Sequence, residues 1–244
     1  MFESISNLFV KKIENKGLIS SYSPLSFNDN ISISKKYNFS KKDIKSECLD
    51  PSNSSVLIFN YYSNILKDTD KLMFEGMGIS FDIFEILPGL IGREYNKTCS
   101  FYANSNSIDY LSLFEIVQGE GYFFLEKMDD NKIIKIIKFK KGEKILIPKN
   151  YAFTIINTSL AEALIIYNLH SNDLIYEIKK FEKFSGTILY FTNLSGFIRN
   201  QNVSSLYTLE EINSNNVEEY NFNTEFSIYE EFIKLPEKFI FLKD

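Results

Sequence analysis

Gly142-Glu143-Lys144-Ile145-Leu146-Ile147-Pro148-Lys149-Asn150-Tyr151-Ala152-Phe153-Thr154-Ile155-Ile156-Asn157 is the stretch on which the fold turns. A short apolar run, 144–147, stops at Pro148, whose ring fixes φ and whose nitrogen has no hydrogen for a sheet ladder. A second run, 153–157, is rich in β-branched and aromatic residues, as strands are. The stretch therefore reads as strand, tight turn, strand. The same pattern continues outward on both sides. Residues 80–87 alternate and end at Pro88-Gly89, 95–103 alternate loosely, and 110–117 end at Gln118-Gly119-Glu120-Gly121. Residues 122–128 and 133–139 flank Asp129-Asp130-Asn131, a hairpin signal, and 163–169 form a last run. About eight short strands, each broken by a turn, predict a sandwich or closed barrel.

Around this core, residues 1–34 are Ser- and Asn-rich with a weak amphipathic pattern at Ile5, Leu8, Phe9 and Ile13, read as a short helix or an irregular arm. Ser40-Lys41-Lys42-Asp43 is a helix-start signal, so a helix is expected over 38–50, stopped by Pro51, followed by a strand at 56–62. The tail carries strands at 187–192 and 196–199 and a helix at 226–233 before Pro236. The expected organisation is an arm with a short helix and strand over 1–78, a barrel core over 79–170, and a C-terminal extension over 171–244.

Composition narrows the function classes. The 244 residues are 44% hydrophobic and 24% charged, which are globular values. There are 23 Phe and 15 Tyr but no Trp, a bias that AT-rich coding produces, so a lone aromatic does not mark a site. A net charge of −5 and lysine pairs interrupted by acids argue against a nucleic-acid interface. Cys48 and Cys99 lie far apart, outside any zinc-binding spacing, and read as free thiols of a cytoplasmic protein. No run approaches the roughly 18 apolar residues of a membrane span, and the first ten residues do not read as a secretory signal.

The quoted stretch resembles the second cupin motif, Gly-x5-Pro-x-Gly-x2-His-x3-Asn, with Phe153 at its histidine and Asn150 at its second glycine. Asn tolerates a left-handed backbone better than other non-glycine residues, so the turn is expected to survive. Ser112-x6-Gly119 is similar to the Glu-x6-Gly of the first motif. Leu87-Pro88-Gly89-Leu90-Ile91-Gly92-Arg93-Glu94-Tyr95, then Thr98, Gly119-Glu120-Gly121-Tyr122 and Ile166-Tyr167 narrow the resemblance to the cupin-type glucose-6-phosphate isomerases. Ser227-Ile228-Tyr229-Glu230-Glu231-Phe232 and Leu235-Pro236-Glu237-Lys238-Phe239 are similar to the close of longer members. The resemblance implies an all-β fold, a cupin or jelly-roll barrel, and aldose–ketose isomerase ancestry.

It also implies one divalent metal held by two His, a Glu and a later His. Those positions fall on Phe101, Ala103, Ser112 and Phe153. Phe and Ala offer no donor atom and a lone hydroxyl is a poor ligand, so no metal and no cofactor are expected. Glu115 points to the opposite strand face from Ser112, and using it would require a register slip. His170, the only histidine, is expected as a partly exposed loop imidazole. Arg93 and Glu94 are expected as a structural ion pair. Thr98, Ser100 and Tyr167 stand where the family helps to hold the substrate phosphate; ordinary strand roles are the alternative.

Three readings stay open. One is a metal-free sugar-phosphate-binding protein or pseudoenzyme. Another is an isomerase working without metal, with no catalytic residue nameable from the motif. The third is a structural or regulatory cupin plugged by Phe101, Phe114 and Phe153. The expected ligand is a sugar phosphate, with neither nucleic acid nor membrane as partner. The outward Leu111 and Leu113 suit either a homodimer interface or packing under the N-terminal arm.

Overall fold

The computed structural model describes residues 3–4, 31–104, 111–128, 133–148, 150–179, 187–203, 207–212, 220–223 and 225–243. The expected arm around Ile5–Ile13, the Asp129–Asn131 turn and Lys149 lie outside the described residues. In chain order the strands begin with β1 (Glu3–Ser4), β2 (Ile31–Ser40), β3 (Leu57–Lys67) and β4 (Ile79–Ile86). Then come β5 (Leu90–Ile91), β6 (Glu94–Tyr95), β7 (Phe101–Asn104), β8 (Ser112–Gln118), β9 (Glu120–Lys127) and β10 (Ile133–Lys140). The quoted stretch supplies β11 (Lys144–Ile147) and β12 (Tyr151–Asn157), followed by β13 (Leu164–Ser171) and β14 (Ile175–Ile178). The tail adds β15 (Leu189–Thr192), β16 (Gly196–Arg199) and β17 (Thr208–Ile212). Among the described residues the helical elements are α1 (Lys71–Met77), α2 (Ile228–Lys234) and 3-10 helices at Lys45–Glu47 and Pro236–Leu242.

These strands form a sheet ordered β1-β14-β7-β12-β9-β10-β17 and a second ordered β11-β8-β13-β4-β3-β2. Phe59, Phe84 and Phe114 of the second share one core with Phe101, Phe123, Phe153 and Tyr176 of the first. This is the all-β cupin jelly roll expected from the sequence. A small third sheet, β16-β15-β6-β5, lies beside them.

The motif residues earn their places by backbone chemistry. Asn150 adopts φ 63° and Gly142 φ 87°, the left-handed turns on either side of β11. Asn157 ties the barrel end together: its side-chain amide donates to the carbonyls of Ile86 and Glu162. A Cβ at Gly121 would sit 2.0 Å from the Ile156 carbonyl oxygen, so the β9–β12 approach requires glycine there.

Two expectations change. The helix expected over 38–50 is absent: β2 runs to Ser40, a turn follows, and only a 3-10 helix forms at Lys45–Glu47. The capping-type contacts do form, with Ser40 N–H donating to Asp43 Oδ2 at 2.7 Å. However, the Lys41 and Lys42 amides donate to Val56 and Ser54 carbonyls, drawing the chain back toward β3 and ending the helical path. The region before residue 78 also contributes strands to the second sheet, because β2 pairs with β3 and β3 with β4.

The other change concerns the outer face of the second sheet. Leu113 there is buried against Ile228, Phe232, Phe239 and Leu242 of the C-terminal segment, with Leu111 packed at the edge. That face is covered by the chain's own tail, with Phe74 of α1 in the same cluster. Glu115 shares this face, as strand alternation required: its carboxylate accepts the Ile228 N–H at 2.7 Å and pairs with Lys144 at 3.4 Å.

Candidate functional site

Strand alternation aims β7, β8 and β12 so that Phe101, Ser112 and Phe153 point into the shared core. Phe101 and Phe153 are register partners, with ring centroids 5.7 Å apart. Ala103 lies two residues along β7 and pairs with Tyr176. The ring of Tyr176 closes the group, 5.4 Å from Phe153 and 6.1 Å from Phe101. Its hydroxyl lies 2.8 Å from Ser112 Oγ and donates to Asn168 Oδ1 at 2.9 Å. With its proton given to Asn168, the Tyr176 oxygen accepts from Ser112. Phe84 and Phe114 pack on Phe153 at 6.2 and 5.3 Å.

A divalent metal does not fit this set. Two positions carry phenyl rings, one carries a methyl group, and the Ser112 hydroxyl is engaged by Tyr176. Among the described residues no three His, Cys, Asp or Glu side chains come together to hold an ion. What remains polar in the interior is a hydrogen-bonded chain. Tyr61 donates to Asp82 Oδ2, the Asn64 amide donates to Asp82 Oδ1 at 2.8 Å, and His170 Nε2 lies 2.8 Å from Asp82 Oδ2. His170 Nδ1 faces the Ser171 carbonyl at 2.8 Å, and the imidazole edge meets the Tyr176 ring at 5.2 Å.

His170 is therefore not a partly exposed loop residue. It sits inside β13, is 5% exposed, and has a carboxylate partner contributed 88 positions earlier. Its even position in β13 places it on the inward face with Ile166 and Asn168. Burial lowers its pKa while Asp82 raises it, and the balance lies above the usual histidine value. Burial lifts the Tyr61 and Tyr176 hydroxyls well above the ordinary tyrosine range, so neither ionises near neutrality.

The three residues expected at a phosphate do not gather. Thr98, fully buried, accepts the Ile155 N–H through Oγ1 at 3.0 Å. Ser100 Oγ meets Thr154 Oγ1 at 2.9 Å, and its amide donates to Glu47 Oε2 at 2.7 Å. These two lie together against β12. Tyr167 occupies the outer face of β13, edge-on to Phe81 at 5.0 Å and in the cluster capped by α2.

Sequence reading also missed the acid beside Ser100. Glu47, on the 3-10 turn, is 2% exposed, and burial pushes its carboxyl up to about 7 while Lys97 acts in the opposite direction. Lys97 Nζ donates to the Glu47 carbonyl and to Glu94 Oε1, both at 2.7 Å. Arg93 and Glu94 do not form the expected pair. Arg93 binds Asp50 at 2.9 Å, while Glu94 takes Lys97 and the Leu49 amide. Glu94 and Lys97 are three residues apart, but Arg93 reaches Asp50 across 43 positions and Ser100 reaches Glu47 across 53, which nothing local announces.

Comparison with solved structures finds vicilin from Capsicum annuum, 12% identical at TM-score 0.37, over 49% of this chain and 30% of that one. Oxalate decarboxylase from Lactobacillus farciminis is 19% identical at TM-score 0.38, over 50% of this chain and 31% of its own. Vicilin from Solanum lycopersicum is 15% identical at TM-score 0.37, over 57% and 35%. The chain thus spans about a third of the length of these proteins. No curated protein sequence matches it significantly. The family model described as Glucose-6-phosphate isomerase (GPI) matches residues 50–208, most of the chain, with every motif of the quoted stretch inside it. The chain belongs to the glucose-6-phosphate isomerase (GPI) family.

Proposed function

We propose that this member of the family is a pseudoenzyme, a cytoplasmic barrel retained for structural or regulatory work with its interior closed by aromatic packing. The observation that carries this reading is the replacement of a donor set by a packed one. Phe101, Phe153 and Tyr176 pack tilted and edge to face where the family's ligands are expected to converge. Aldose–ketose isomerisation moves a proton beside a carbonyl and polarises that carbonyl. The motif positions hold no group able to do either. Both nitrogens of His170, whose ring meets Tyr176, are already engaged. The two buried, unpaired thiols suit a reducing compartment.

The purified protein, assayed by coupling to oxidation of glucose 6-phosphate in the presence of added divalent metal and again with chelator, is expected to give no turnover. Turnover that chelator abolishes would overturn the reading. A thermal scan with glucose 6-phosphate or fructose 6-phosphate separates a plugged barrel from a binding one. A ligand at a hundred times its Kd adds about 2.7 kcal/mol, and no such shift is expected here.

A further inference from the structure

The two hydrogen bonds of His170 fix its protonation. Nδ1 faces a backbone carbonyl and Nε2 a carboxylate oxygen, each at 2.8 Å. Both partners are acceptors. A neutral imidazole carries one N–H and would turn a lone pair against one of them. The imidazolium satisfies both. Asp82 is arranged to match: fully buried, it accepts from Tyr61 and from the Asn64 amide as well as from His170. No Lys or Arg is paired with Asp82 among the described residues.

The network around His170 of β13 draws on five further strands. Asp82 belongs to β4, Tyr61 to β3 and Tyr176 to β14, while uncharged Ser112 of β8 is the register partner of His170. Tyr37 of β2 stacks on Tyr61 at 5.7 Å, and burial, with Asp82 as the lesser cause, raises its pKa. Asn64 is held at φ 52°, between the Ile33–Ile65 and Lys35–Ser63 pairs of the β2–β3 ladder, which keep one register across it. Its amide, turned out of that ladder, is the one given to Asp82. On the other side, the imidazole edge supports the Tyr176 ring, which comes from the opposite sheet.

We propose that the His170–Asp82 pair is a proton-operated latch that holds the Tyr176 plug and the left-handed backbone at Asn64 in place. When His170 is protonated, the pair joins β3, β4 and β13 and supports the strand from the facing sheet. When it loses its proton, one ring nitrogen opposes an oxygen lone pair and Asp82 is left buried without a cation. Unpaired charge of this kind is strongly destabilising. The end of the barrel at Asn64 and Tyr176 loosens first. This latch is independent of the loss of isomerase chemistry, because its readouts involve neither substrate nor metal.

The chain has one histidine, so its imidazole nitrogens give an unambiguous NMR signal in the intact protein. In mildly acidic solution both ring nitrogens are expected to be protonated, with a titration midpoint above the ordinary histidine value of 6.5. Amide exchange at Asn64 and through β14, after subtraction of its intrinsic base dependence, is expected to lose protection across that same midpoint. In Asp82→Asn the midpoint is expected to fall and the pH dependence at Asn64 to vanish. A midpoint at or below the ordinary histidine value overturns the proposal. So does unchanged Asn64 protection across the titration. Both tests use the wild-type chain, so a variant that fails to fold leaves the decision intact.

Discussion

The Tyr176 hydroxyl, held between Ser112 and Asn168, is the point where polar and aromatic halves of the interior meet. Replacing Tyr176 with Phe keeps the ring contacts and strands two buried polar groups, the Ser112 hydroxyl and the Asn168 carbonyl. Leaving such groups unpaired costs about 1–3 kcal/mol. Chemical denaturation of Tyr176→Phe is expected to show a loss in that range with an unchanged slope. Phe153→Ala asks the opposite question. It removes a ring from the centre of the cluster, and truncations of buried Phe cost about 3–5 kcal/mol through lost transfer energy and the cavity left behind. A variant retaining wild-type stability would show that Phe153 fills no core, and the plugged-barrel reading would fail with it. The sequence told this part of the site by subtraction: the side chains at the motif spacings lack the needed donor atoms. Tyr176 itself was not legible, because it stands outside every motif and reaches Ser112 across 64 positions.

At the scale of elements, the legible features were those written within one strand or one turn. The β11–β12 turn survives with Asn150 left-handed, and Gly196–Arg199 forms a strand over its expected bounds. The C-terminal helix is signalled by Ser227 and Glu230, which form a reciprocal capping box. Ser40 and Asp43 carry a similar signal and yield only a turn. The difference is tertiary. Behind Ser227, Ile228, Tyr229 and Phe232 have an apolar sheet face to cover, whereas the chain after Ser40 is bound back to residues 54–56. A capping signal starts a helix only where a buried stripe can sustain it. Ser227→Ala is therefore expected to lower stability by about 1 kcal/mol. Phe232→Ala, which opens the layer beneath α2, should cost about 3–5 kcal/mol. Melting both variants checks the order, and equal losses would mean that α2 contributes little burial.

For the whole molecule, stability as a function of pH follows from buried groups that keep their protons longer folded than unfolded. Glu47 rises from 4.5 to about 7 through burial, and Glu115 is also raised by burial. His170 lies above 6.5 because Asp82 outweighs its burial. In each case the folded state binds more protons across the window between the two pKa values. Stability must then fall as pH rises. The Glu47 contribution is fully present below 4.5 and is lost as pH climbs through about 7; that of His170 is present below 6.5 and is lost above its folded pKa. At roughly 1.4 kcal/mol per pH unit, the Glu47 displacement corresponds to a few kcal/mol. Asp50, which is lowered by Arg93, acts only near its own acid range and does not oppose this trend. Differential scanning calorimetry from pH 5 to 8 should therefore show Tm declining throughout. Glu47→Gln, which keeps an oxygen to accept the Ser100 amide, should flatten the acidic half of that decline and leave the portion owed to His170. A Tm that rises between pH 5 and 8 would contradict the buried-proton account, and a Glu47→Gln profile parallel to wild type would remove Glu47 from it.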